Sequence, residues 1–128
     1  MALAGYCLDT DILIDYLRGV DDARLFLIAV SAEAPVFINT ITIVELFAGR
    51  STRRSRIRRG LAKLLESFTP IQLTASLARQ AGELRRDYHI PFADAIVAAG
   101  AISYHLTIVS RNRKHFARVK DLLIRVPY

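Results

Sequence analysis

One cysteine, Cys7, is too few for a disulfide framework. The opening Met1-Ala2-Leu3-Ala4-Gly5 lacks the basic residues and the long apolar stretch of a secretory signal, so the expected location is the cytoplasm. No uncharged apolar run approaches the roughly 18 residues of a spanning helix. Leu25 to Val30 is short, and the apolar run around Ile96 has Asp94 at its head. No membrane role is therefore expected. His89, His105 and His115 are scattered and none pairs with Cys7 at zinc spacing. There is no internal repeat, low-complexity tract or linker, and 128 residues make one domain of ordinary size, expected to span 1–128.

What is present is apolar material and unevenly placed charge. Hydrophobic residues make up 52% of the chain, enough to offset the ordering entropy of folding. The net charge is +6, yet Arg50 to Lys63 alone holds seven basic residues and no acid, and the other 11 basic and 12 acidic residues leave −1. A second acid-free cluster comprises Arg111, Arg113, Lys114, Arg118 and Lys120. Two such clusters favour contact with a polyanion over a merely solvated surface. Arg50, Arg53, Arg54, Arg111, Arg113 and Lys114 are the expected phosphate contacts.

Continuously apolar strands alternate with helical patterns. Tyr6-Cys7-Leu8 reads as a strand and Ile12 to Leu17 as a short helix stopped by Gly19. A second helix ends at Pro35, Val36-Phe37-Ile38 is a buried strand, and Thr40 to Gly49 reads as a helix. The basic stretch Thr52 to Ser67 reads as one further helix with Ile57, Leu61, Leu64 and Leu65 inside. Phe68 to Leu73 is a short strand containing Pro70. Thr74 or Ser76 caps a helix to Tyr88, and Pro91 opens another over Phe92 to Tyr104. Leu106 to Val109 and Leu122 to Val126 close the series as strands. The pattern predicts an α/β fold with a central parallel sheet of four to five strands flanked by helices. Chemistry is then expected just beyond the carboxyl ends of the strands.

Three acids stand at strand ends or helix starts. Asp9 directly follows the first strand. Asp11 is expected to cap the short helix instead, with Asp15 facing solvent. Asp94 lies in Ile90-Pro91-Phe92-Ala93-Asp94-Ala95-Ile96-Val97-Ala98-Ala99, where every neighbour is apolar, so its carboxylate must cap, pair or bind a cation. Glu45 has two readings. Thr42-Ile43-Val44-Glu45 matches a capping box, and alternatively Glu45 turns into the crevice beside Asp9. Three carboxylates brought together repel unless a divalent cation neutralises them, and all-oxygen ligation suits Mg2+ or Mn2+. An acidic metal pocket in a basic protein points to phosphodiester hydrolysis, with Asp9, Glu45 and Asp94 as its catalytic acids.

Four segments, in order, resemble the PIN-domain ribonucleases, and among them the VapC-type toxins of toxin-antitoxin modules. They are Leu8-Asp9-Thr10-Asp11-Ile12-Leu13-Ile14-Asp15-Tyr16-Leu17-Arg18-Gly19, Thr42-Ile43-Val44-Glu45-Leu46-Phe47-Ala48-Gly49, Ile90 to Ala99, and Leu106-Thr107-Ile108-Val109-Ser110-Arg111-Asn112-Arg113-Lys114-His115-Phe116. The resemblance implies a PIN-like single domain that binds Mg2+ or Mn2+ and cuts RNA, commonly tRNA or ribosomal RNA. It places Asp9, Glu45 and Asp94 as metal-binding acids and Ser110 as a support for the pocket by hydrogen bonding. It also implies a homodimer and a cognate antitoxin. Two positions depart from the family pattern: Asp11 stands where Asn is common, and no acid occurs at Asn112 or near His115. Asn112 can still ligate through its carbonyl oxygen, without adding charge.

Two other functions fit parts of the sequence. Asp9-Thr10-Asp11 after a strand resembles the opening of haloacid-dehalogenase-type phosphatases, but only Asp121 remains for the downstream acidic motif. A binding module for RNA or an antitoxin, with a degenerate acidic site, would account for the basic clusters but not for Asp94 in apolar surroundings.

Overall fold

The computed structural model describes residues 4–128, so Met1-Ala2-Leu3 of the stretch read for a leader lies outside them. Five short strands form one parallel sheet in the order β3-β2-β1-β4-β5. They are β1 (Tyr6–Leu8), β2 (Val36–Asn39), β3 (Thr69–Ile71), β4 (Thr107–Val109) and β5 (Leu123–Arg125). The helices are α1 (Thr10–Leu17), α2 (Asp21–Glu33), α3 (Thr40–Phe47), α4 (Ser55–Leu65), α5 (Ala75–Tyr88), α6 (Phe92–Ser103) and the single turn α7 (Arg113–Phe116). The basic stretch is divided, a 3-10 turn over Arg50–Arg53 preceding α4. Pro70 is accommodated because β3 is an edge strand.

Alternation along each strand builds two cores. Cys7 and Ile108 face one side with α5, α6 and Phe116 of α7, while Tyr6, Leu8 and Val109 face the other with α1, α2 and Leu61 of α4. Burial on both faces is what makes the strands read as continuous apolar runs. Cys7 is a fully buried core residue whose thiol is pushed up to about 12, first by burial and then by the charge of Asp9.

The small residues of α6 have a packing cause. A Cβ on Gly100 would stand 3.0 Å from Asn39 Nδ2 and 3.3 Å from Ile71 Cγ2, so the helix can lie this close to β2 and β3 only with a bare backbone there. Asn39, fully buried, caps α3 by accepting from the Ile41 amide at 3.0 Å and donates to the Ile96 carbonyl at 3.3 Å. One side chain thus fixes the helix carrying Glu45 to the helix carrying Asp94.

From β1 the chain moves outward through β2 and β3, then returns to β4 on the opposite side of β1 and continues to β5. The carboxyl ends of β1 and β4 therefore flank the point where the winding reverses, the place where open α/β sheets keep a crevice.

Candidate active site

Asp9 occupies that point. It is the N-cap of α1, accepting from the Thr10 amide through Oδ1 at 2.9 Å, and its Oδ2 accepts from Ser110 Oγ at 2.7 Å. The capping role expected of Asp11 thus falls to Asp9, because the helix begins two residues earlier than its apolar period implies. Ser110 is itself fixed, since its Oγ accepts from the Asn112 amide at 2.9 Å. Strand ends β1 and β4 are joined through side chains as well as through the sheet.

Glu45 does not close a capping box. Asn39, not Thr42, caps α3, and Glu45 Oε1 instead accepts from Thr10 Oγ1 at 2.7 Å, one residue from Asp9. Its side chain is exposed and borders a hollow of about 450 Å³ with Arg18, Arg50, Ile14, Leu17 and Ile57.

Asp94 lies in the first turn of α6 but caps nothing, Pro91 being the N-cap. Its Oδ2 is 2.5 Å from His115 Nδ1, yet this oxygen is buried without a hydrogen-bond partner. Burial and then the negative charge of Asp9 push the Asp94 carboxyl above its ordinary value, against the pull of His115, and Glu45 adds a smaller push. Asp94 thus lies within the electrostatic field of both other acids.

Asp11 and Asp15 form the neighbouring wall. Asp11 Oδ2 accepts from the Arg111 amide at 2.9 Å, whereas Oδ1 is buried with no partner. Burial and the nearby Asp9 push its carboxyl up to about 6. Asp15, expected at the surface, is buried and held by Arg111 Nε at 3.0 Å and by the Tyr128 hydroxyl, which donates at 2.5 Å. Arg111, expected as a phosphate contact, is engaged with Asp15 and, at 3.9 Å, with Asp11, while its side chain stays 46% exposed.

Arg50, Arg53 and Arg54 are exposed on and beside the 3-10 turn. Asn112, Arg113, Lys114 and His115 are also exposed and, with Arg111 and Ala117, line a hollow of about 550 Å³. His115, Thr10, Asn39 and Tyr128 are contributors that the sequence reading missed. Asn39 carried a usable signal, an Asn between a strand and a helical period, whereas no sequence periodicity links His115 to Asp94.

The donor chemistry fits a hard divalent cation. Asp11 Oδ1 is a buried carboxylate oxygen without a hydrogen-bond partner, and such an oxygen calls for a proton or a cation; Asp94 Oδ2 faces His115 Nδ1, which leaves the other Asp94 oxygen for a cation. Among the described residues no three Asp, Glu, His or Cys side chains form a ready-made cage around a single ion.

Comparison with known proteins places the chain in a family. Residues 6–122 match the PIN domain family. The chain is 34% identical over 119 residues to Ribonuclease VapC10 of Mycobacterium tuberculosis, covering 89% of this chain and 87% of that protein. Among solved structures, a toxin-antitoxin complex from Klebsiella pneumoniae superposes with a TM-score of 0.82 at 28% identity, covering 97% of this chain and 98% of the other. VapBC2 from Rickettsia felis, solved bound to a DNA fragment from its promoter, superposes with a TM-score of 0.81 at 25% identity, covering 94% and 96%. With sequence and topology in agreement, the chain belongs to the PIN domain family and is a relative of the VapC ribonucleases.

Proposed function

We propose that this protein is a Mg2+- or Mn2+-dependent endoribonuclease acting as the toxin of a toxin-antitoxin pair, cutting phosphodiester bonds in tRNA or ribosomal RNA. The observation that carries the reading is the unpartnered buried carboxylate oxygen of Asp11 together with the Asp94 carboxyl, of which one oxygen faces His115 and the other is left for a cation, set around Asp9 at the sheet's reversal point. Asp9, Glu45 and Asp94 would hold the cation, with Asn112 able to add a neutral carbonyl. A bound cation of this kind lowers the barrier by offsetting charge on the phosphate and activating water.

The chain's own residues do the rest. Ser110 and the Thr10 amide hold Asp9 in one rotamer, and Thr10 Oγ1 holds Glu45 beside it. Arg50, Arg53, Arg54, Arg113 and Lys114 supply exposed positive charge on either side of the acids for the flanking phosphates. Arg111, the sixth proposed phosphate contact, also positions the acidic wall, through its amide to Asp11 and its guanidinium to Asp15.

Partners follow from the relatives. The Klebsiella structure is a toxin-antitoxin complex, and an antitoxin is the proposed protein partner here, together with a second copy of this chain. No helix among the described residues is long and apolar enough to cross a membrane. A cytoplasmic location is part of the same proposal.

The test is to incubate purified protein with cellular RNA in Mg2+, in Mn2+ and in EDTA, and to sequence the new ends. Discrete cuts in tRNA or ribosomal RNA that require the cation support the reading. No cutting with either ion, together with retained RNA binding, would make the protein a binding module, and release of phosphate from small monoesters would make it a phosphatase.

A further inference from the structure

We propose that His115 is the positioning residue for Asp94, holding one carboxylate oxygen so that the other is presented to the cation. The proposal rests on the metal-dependent reading above and deepens it at a single residue.

The two oxygens of Asp94 are not equivalent. Oδ2 is sealed from solvent and lies 2.5 Å from His115 Nδ1, whereas the side chain as a whole keeps 15% exposure. The accessible part of the carboxyl is therefore elsewhere than on the oxygen facing the imidazole. Among the described residues no aligned hydrogen bond reaches Asp94, in contrast to Asp9, which has two donors, so the close contact with His115 Nδ1 is the polar contact its carboxyl makes. His115 is thus what fixes the rotamer of the most apolar-flanked acid in the chain.

The surroundings of His115 support a fixed role. Its backbone belongs to α7, whose Phe116 is fully buried in the core beneath α6, so the ring is presented from an anchored turn. The His115 amide donates to the Asn112 carbonyl at 3.1 Å, and the Asn112 amide donates to Ser110 Oγ. The residue that orients Asp94 and the residue that orients Asp9 therefore lie on one continuous hydrogen-bonded turn. Groups that orient a ligating side chain typically change metal affinity by about 10–100-fold when removed.

The experiment compares His115→Ala and His115→Asn with the unmutated protein. Asn retains a side-chain N–H near the position of Nδ1. Mn2+ affinity is measured directly by electron paramagnetic resonance, RNA affinity is measured in EDTA, and kcat and KM are measured for RNA cleavage. We expect His115→Ala to weaken Mn2+ about tenfold or more and to lower kcat, with KM and RNA affinity in EDTA unchanged, and His115→Asn to recover most of both losses. Unchanged Mn2+ affinity in the Ala variant overturns the proposal. So does equal loss in both variants, which would mark a merely structural ring, and so does a loss confined to RNA affinity, which would make His115 a phosphate contact. If the unmutated protein binds Mn2+ without cutting RNA, the ribonuclease reading fails while the positioning claim is still decided by the metal affinities. If it binds no Mn2+ at all, both fail.

Discussion

Ser110 and Asp9 are 101 residues apart in the chain, and the hydroxyl of one donates to the buried carboxylate of the other at 2.7 Å. The contact joins the carboxyl ends of β4 and β1 at the sheet's reversal point, so it ties the halves of the fold together there. Ser110→Ala leaves Asp9 Oδ2 without its donor, and a buried acceptor stripped of its partner costs about 1–3 kcal/mol. The expected result is a lower thermal midpoint together with weaker Mn2+ binding, measured by scanning calorimetry with and without Mn2+. Unchanged stability in EDTA would show that Oδ2 finds another donor.

Asp11 gives the fold a pH dependence of defined sign. Its carboxyl titrates near 6 in the folded chain against an ordinary value of 3.8. Between those values only the folded chain holds this proton, so the stabilisation is complete below about pH 3.8 and is lost as pH rises through about 6. Asp11→Asn keeps an acceptor for the Arg111 amide and removes the titration. In EDTA the variant is expected to melt higher than the unmutated protein at pH 7 and to show little difference at pH 4. Equal shifts at both values would locate the effect outside this carboxyl.

The basic turn makes a separate prediction. Replacing Arg50, Arg53 and Arg54 together by Ala removes three exposed charges without touching the acids. RNA affinity in EDTA is expected to fall and the slope of log K against log salt to flatten by about 0.7 per lost contact on single-stranded RNA. Fluorescence anisotropy across a salt series measures it. An unchanged slope would assign this face to another role.

Tyr128 and Arg111 hold Asp15 from two sides. Tyr128→Phe removes one donor to a buried carboxylate, and hydrogen bonds to charged groups contribute about 1.5–3 kcal/mol. The variant is expected to lose stability of that order in denaturant titration, with RNA affinity in EDTA retained. A neutral effect would mean that Arg111 alone satisfies Asp15.

Much of this molecule was legible in the chain because its signals are local. Apolar triplets such as Tyr6-Cys7-Leu8 and the stops at Gly19 and Pro35 set the element order, and burial on both faces makes those triplets continuous. The positions of Asp9, Glu45 and Asp94 were visible because a carboxylate among apolar neighbours is out of place. The handling of those acids was not legible. Capping by Asp9 rather than Asp11 depends on which residue the helix starts from. The bond from Thr10 to Glu45 spans 35 residues, and the burial of Asp15 depends on Arg111 and Tyr128, about a hundred residues away. The same distance hides the contacts of Arg111 with Asp11 and Asp15.

The most direct test of the central claim compares the unmutated protein with Asp94→Asn on one RNA substrate, with cleavage measured in Mg2+ or Mn2+ and binding measured in EDTA. Cation-dependent cutting that Asp94→Asn abolishes, with the same RNA affinity and the same salt slope in both proteins, is the expected outcome. Cleavage that persists in EDTA, or that survives the substitution at full rate, would contradict a site in which Asp94 holds the ion.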